Sequence, residues 1–399
     1  MKTNTFPLME GSRISTASPS AAYFRIPAAE AFYPYIESLT DKVLSEGEKR
    51  FSQLISQFEG SRFSHSFPKN LTRNEALLDI LILGSLWNLY KGQWGNSSLR
   101  NTERIYKKMH QLQAAPSDHS AKVEKLRQKL ARRVLNNPGY TRGDFTPDQF
   151  KLLCIWLSAT NEFSEEAFRM YPWISFFDTI PAVMAHQYLG GIIDFANWFD
   201  MESHREYRKF SATYNGLSKP FNRGEKGRNP KYRNGREEVE YHLNLVGATL
   251  LNRKMRPAFQ GSKHQIVFLP GRLAKSENCQ SVEILKGSVC SHCTADCEIA
   301  KISLELKELG IYTFLINEPS GISEYLDKWT NQTEVGIMGI HHALDLLSIS
   351  LEMRRRNIPS QCLPLEYNNA RKFLVSPEKR AVSNPTFQIR KNIQYSEVN

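Results

Sequence analysis

Four of the chain's six cysteines fall between Cys279 and Cys297, separated by ten, two and three intervening residues and ending in the run Cys290-Ser-His-Cys293-Thr-Ala-Asp-Cys297. A Cys-x2-Cys pair puts two thiolates on one turn, close enough to share a single ion or cluster. Cys297 returns to that turn from the first residues of a following amphipathic helix, for which Thr294 and Asp296 are suitable starters. The partial positive charge at a helix N-terminus favours the anionic, metal-ligating form of a cysteine. Cys279 is the candidate fourth ligand, closed by a loop of ten residues, and His292 within the turn is either a substitute for one thiolate or, the favoured reading, solvent-facing. Four such sulfurs suit zinc and an iron–sulfur cluster equally in ligand type. The spacing matches neither the bacterial ferredoxin run nor a zinc ribbon with two Cys-x2-Cys pairs, so the metal stays open. The competing reading is four thiols with no ion.

Other candidate chemistry is sparse. No Gly-x-Ser-x-Gly, His-Glu-x-x-His, Gly-x4-Gly-Lys-Ser/Thr or Gly-x-Gly-x-x-Gly motif occurs where its mechanism needs it. His341-His342 ends an expected strand, the position at which open parallel sheets place ligands, and Glu318 follows another such strand. Adjacent strand residues point to opposite faces, so at most one of the two histidines reaches a site there. Cys154 lies in an apolar helix pattern and reads as core; Cys362, near the last expected strand, is core or a fifth sulfur.

The elements that must position these residues divide into two kinds. Residues 26–215 carry apolar positions at helical spacing: one pattern from Ala28 to a stop at Gly60, one from Thr72 to Tyr90, and three further helices holding Trp156, Trp173 and Trp198, the first started by Thr146-Pro-Asp-Gln. A helix over 237–256 follows, closed by Pro257. The period then switches. Gln265 to Leu269, Ile311 to Ile316, Val335 to Ile340 and Gln361 to Leu365 read as strands, with helices over 295–309, 321–329 and 343–356 between them. The expected fold class is α plus α/β: a helical N-terminal domain followed, over 237–375, by an α/β domain with a short parallel sheet and a cysteine-rich loop. Residues 1–25 and 376–399 read as flexible tails.

Charge is concentrated in places. Lys219, Arg223, Lys226, Arg228, Lys231, Arg233 and Arg236 face a single Glu225 among glycines and prolines, so 216–236 reads as a basic linker and as the best candidate for an anionic partner such as nucleic acid. Basic helical patterns over 101–113 and 119–135 lack interleaved aromatic residues and read as solvated surface. The formal charge of +11 permits anionic partners without choosing one. No stretch is long and apolar enough for a membrane span, no secretory signal pattern opens the chain, and the cysteines are bunched, not spread as a disulfide framework would be. The expected location is the cytoplasm.

Residues 237–367 resemble an uncharacterised prokaryotic family catalogued as domain of unknown function 116. Three pieces carry the resemblance: the helix Tyr241-His-Leu-Asn-Leu-Val-Gly-Ala-Thr-Leu-Leu-Asn-Arg253, the strand and turn Val267-Phe-Leu-Pro-Gly271, and the cysteine cluster with its following strand and helix units. The resemblance covers about a third of the chain and leaves the helical half unexplained. It implies a cysteine-rich domain suspected of binding metal, with no established reaction. In the family pattern a cysteine follows the Leu-Pro turn and another ends the third strand; this chain has Arg272 and His342 there, and further cysteines are replaced around Asn368 to Arg371. A second cluster is therefore in doubt. The functional expectation is a metal-binding protein of redox or accessory role, the alternative a binding protein for an anionic partner in which the metal is purely structural.

Overall fold

The computed structural model describes residues 29–61, 63, 71–91, 145–160, 163–207, 237–271, 280–284, 287–295, 297–316 and 322–365. The tails, both basic helical patterns, the basic linker, Cys279, Arg272 and Glu318 lie outside them.

The helical half comprises α1 (Ala29–Glu59), α2 (Arg73–Tyr90), α3 (Pro147–Thr160), α4 (Ser164–Phe177) and α5 (Ala182–Tyr207). Local chemistry sets their starts. Thr72 and Glu75 form a reciprocal capping box on α2, and Thr146 and Gln149 exchange the same pair of bonds before α3. The sequence places one face of α2 in the core; instead it is buried on almost every side, from Glu75 to Trp87. Gly84 makes this fit possible, because a Cβ there would lie 2.5 Å from the Ile192 carbonyl of α5.

The second half contains α6 (Glu238–Gln260), β1 (His264–Pro270), β2 (Val282–Ile284), β3 (Gly287–Val289), α7 (Glu298–Glu308), β4 (Tyr312–Ile316), α8 (Ile322–Asp327), β5 (Val335–His342), α9 (Leu346–Arg355) and β6 (Ser360–Leu365). The α plus α/β class holds, with four expected strands and their intervening helices in place. Two details differ. Helix α6 runs through Pro257 to Gln260, since the proline removes one donor while Gly261 N–H still closes the turn onto the Pro257 carbonyl at 3.0 Å. Among the described residues the sheet has six strands in the order β2-β3-β4-β1-β5-β6; β4, β1, β5 and β6 are parallel, whereas β2 and β3 form an antiparallel hairpin at the edge. Three-residue strands leave too few side chains for a period-2 signal.

Strand alternation divides the core. Ile266, Phe268, Phe314, Ile316, Ile337 and Cys362 join an apolar cluster that continues through α6 and α9 into the helical half. Val267, Leu269, Leu315, Met338, Ile340 and Leu363 face a second cluster with Ile299, Ala300 and Leu306 of α7. The sheet is thus covered on both faces, as parallel strands require. The helix singled out above, Tyr241 to Arg253, carries the contacts that assemble the layers. Asn244 accepts the Leu347 N–H at the start of α9, at 3.1 Å, and Gly247 sits against Leu347. Asn252 exchanges two 2.7 Å hydrogen bonds with the backbone of Cys362 in the edge strand β6, and Arg253 holds Glu37 and Asp41 of α1.

Burying α2 also buries two carboxylates, and both are met by arginines. Asp79 accepts from Arg169 of α4 at 2.5 Å and from Trp173 at 3.2 Å; Glu75 accepts from Arg354 of α9 at 2.9 Å. The next two residues continue the clamp: Arg355 binds Glu165 of α4 through two 2.8 Å bonds, and Arg356 binds Asp327 of α8 and Glu352. Burial raises the Glu75 carboxyl, yet Arg169 and Arg354 outweigh it and hold the group below the usual range. For Asp79 burial wins over Arg169, and the group is pushed up to about 6.

Two predictions follow from these charges. Arg354→Met leaves Glu75 buried without its closest cation and should cost about 3–5 kcal/mol in urea unfolding, whereas Arg355→Ala, at a more exposed pair, should cost about 1 kcal/mol or less. Asp79 binds its proton more tightly folded than unfolded, so its contribution is full below about pH 4 and lost as pH rises through about 6. Across that window the loss is on the order of 3 kcal/mol, and Asp79→Asn should remove that part of the stability–pH slope.

Candidate metal centre

The cysteine loop is positioned by the hairpin before it and the helix after it. Strand β3 delivers Cys290, and Cys297 is the residue capping α7. Between them His292 adopts φ 54°, a left-handed conformation that turns the chain sharply, and its N–H donates to the Cys290 sulfur at 3.4 Å. The Thr294 hydroxyl donates to Cys293 Sγ at 3.8 Å. Amide and hydroxyl donors aimed at sulfur stabilise negative charge on it, the same device that tunes sulfur ligands in metal clusters.

Cys290 and Cys297 are both buried in the cluster beneath α7, together with Leu269 and Ile340, while Cys293 is exposed. The structure therefore brings two of the candidate ligands onto one apolar floor and leaves the third at the rim. Among the described residues, no three His, Cys, Asp or Glu side chains already surround a common point. Cys279 lies outside the described residues.

Topology gives the loop its location. The chain leaves β1 toward β4 on one side and leaves β5 toward β6 on the other. Adjacent parallel strands whose chain continues to opposite sides mark the end of a sheet at which open α/β folds place ligands, here the carboxyl ends of β1 and β5. Helix α7 joins the amino end of β4 through only Leu309 to Ile311, so its opposite end, with Cys297, lies toward the carboxyl ends of the strands.

The other sequence candidates separate from this loop. His341 is buried, and a Cβ on Gly339 would lie 2.8 Å from its Nε2 and 3.4 Å from Met353, which puts it on the α9 face of β5. The His342 side chain lies outside the described residues. Cys362 also belongs to the α9 face, 4.0 Å from the Met353 sulfur, and is therefore core and not a fifth sulfur near Cys290 and Cys297. Burial pushes its thiol up to about 11, and pushes that of core Cys154 well above the ordinary range.

A second polar cluster, absent from the sequence reading, lies where α5 ends and α6 begins. Glu238 Oε2 is 3.2 Å from His204 Nδ1, and its Oε1 is 3.9 Å from Nε2 of the fully buried His242. His242 Nδ1 lies 3.0 Å from the Ser203 hydroxyl oxygen, which also lies 3.2 Å from the Asp200 carbonyl. Burial, with a smaller contribution from His204, lowers the His242 pKa to about 3, so the ring is neutral. The signal was present as two acid-x3-His spacings, Asp200 to His204 and Glu238 to His242, each placing both groups on one helix face.

Comparison of the chain with protein-family models, curated proteins and solved structures returns no match. No helix among the described residues is long and apolar enough to cross a membrane.

Brief alkylation of chelator-treated protein should modify Cys293 at least about tenfold faster than Cys154 and Cys362, because a thiol reacts as its exposed thiolate. Peptide mass spectrometry reads this directly, and equal labelling of Cys362 would contradict its placement beneath α9.

Proposed function

We propose that this chain is a cytoplasmic metal-binding protein in which Cys290, Cys293 and Cys297, with Cys279 as fourth ligand, hold zinc or an iron–sulfur cluster in a redox or accessory role. The observation that carries the reading is the turn from Cys290 to Cys297. It buries its first and last cysteines in one apolar cluster, aims the His292 N–H at the Cys290 sulfur, and leads into α7 from the side of the strands' carboxyl ends. The resemblance of residues 237–367 to the uncharacterised cysteine-rich family supports the same reading. A metal there would tie the edge hairpin, α7 and the segment around Cys279 together, and Cys293 at the rim would give it access to solvent or to a partner.

Anaerobic purification followed by metal and acid-labile sulfide analysis tests this. The expected result is stoichiometric metal that is lost in Cys290→Ser and Cys297→Ser and kept in Cys154→Ser. A visible charge-transfer spectrum with sulfide identifies an iron–sulfur cluster, and colourless protein containing zinc identifies a tetrahedral thiolate site. Structural zinc contributes on the order of 10 kcal/mol to folding, so metal-free protein whose unfolding ignores chelators would refute the proposal.

A further inference from the structure

We propose that the groove between α1, α6 and the edge strand β6 is a binding site for a short-chain monocarboxylate, with the Arg256 guanidinium as the group that receives the carboxylate. The proposal is independent of the cysteine reading.

An unanswered charge carries the argument. Arg256 is half-buried and lines a cleft of about 390 Å³, open to solvent, between these three elements. Its Nε is buried with no hydrogen-bond partner, and the side chain makes no ion pair among the described residues. Arginine stays charged in a protein, so this is a cation drawn partly out of water with no anion to meet it. By contrast, Arg169, Arg354, Arg355 and Arg356 each meet a carboxylate. The acids of α1 are engaged elsewhere: Glu37, in the same cleft, accepts from Arg253 Nε at 2.6 Å, and Asp41 accepts from Arg253 Nη1 at 2.6 Å. Burial pulls the Arg256 guanidinium below its ordinary range; Glu37 opposes this and Arg253 adds to it. An anion arriving at Nε would relieve both burial and repulsion.

The rest of the lining defines the ligand. Leu245, Thr249, Asn252 and Arg256 follow one another at steps of four, three and four residues and so share one face of α6. Ile36 of α1, Leu346 at the start of α9 and Leu363 of β6 make the other walls apolar, which suits an alkyl chain. The outer edge of β6 leaves recognition to Arg256. Asn252 already holds the Cys362 N–H and carbonyl, and Pro364, the next residue on that edge, has no N–H to offer. A guanidinium binds a carboxylate through two parallel N–H bonds, and Nε is one of the donors it can use. A single cation beside Glu37 favours one negative charge, hence a carboxylate over a phosphate dianion. The cleft is at the small end for ligand pockets, so the chain on that carboxylate is short.

Sodium butyrate, added to the full chain at constant ionic strength, is the probe, read by saturation-transfer NMR and thermal melting, with n-butanol and inorganic phosphate as controls. Butyrate should bind and raise the melting temperature, and both controls should bind at least about tenfold more weakly. Arg256→Gln should lower butyrate affinity by about tenfold or more. The same variant should melt no lower than the parent without ligand, because the guanidinium has no partner among the described residues. Thr249→Leu narrows the cleft, keeps the charge and should also weaken butyrate. Absence of butyrate binding, equal butyrate affinity in Arg256→Gln, or phosphate or butanol bound as well as butyrate would overturn the proposal. A ligand-free Arg256→Gln protein that melts lower would do so too, since the chain's own groups would then answer the charge.

Discussion

Two carboxylates inside a helix that is buried on almost every side set the terms for the rest of this structure. Glu75 and Asp79 lie one turn apart on α2 and cannot be ionised there without cations brought from elsewhere in the chain. Arg169 arrives from α4, and Arg354 arrives from the last turn of α9, after the fifth strand of the sheet. The halves that differ so clearly in sequence pattern therefore share one electrostatic centre as well as one apolar cluster. Arg355 and Arg356 extend the grip to α4 and α8, so three consecutive residues reach three different helices. Removing either partner of such a pair leaves the other as an uncompensated buried charge, so packings that separate them are disfavoured.

Much of the fold was legible because its signals are local. Capping pairs at Thr72 and Thr146 mark helix starts, and the apolar runs from Gln265 and Val335 mark strands buried on both faces. What escaped depends on partners far away in sequence. Nothing near Glu75 names Arg354, 279 residues later, and the β2–β3 hairpin owes its pairing to β4, not to a period of its own. Pro257 shows a local rule overridden, since the packing of Phe259 beyond it offsets one missing hydrogen bond.

The candidate sites divide in the same way. The cysteine run was visible because four sulfurs in nineteen residues are a composition signal. Their unequal burial was not, because it depends on which sulfurs the α7 layer covers. The paired acid-x3-His spacings on α5 and α6 were visible only in part: each alone is an ordinary helix-surface pair, and their meeting follows from the packing of the two helices.

Asn252 shows how one side chain can govern chemistry it never touches. By bonding both the N–H and the carbonyl of Cys362, it occupies the place of a neighbouring strand and covers part of the outer edge of β6. It also fixes the strand's register. A slip of one residue would turn β6 over and move the Cys362 sulfur to the face that holds Cys290 and Cys297. The amide of α6 thus works as a sorting device for sulfur, holding the buried Cys362 thiol on one side of the sheet, apart from Cys290 and Cys297 on the other.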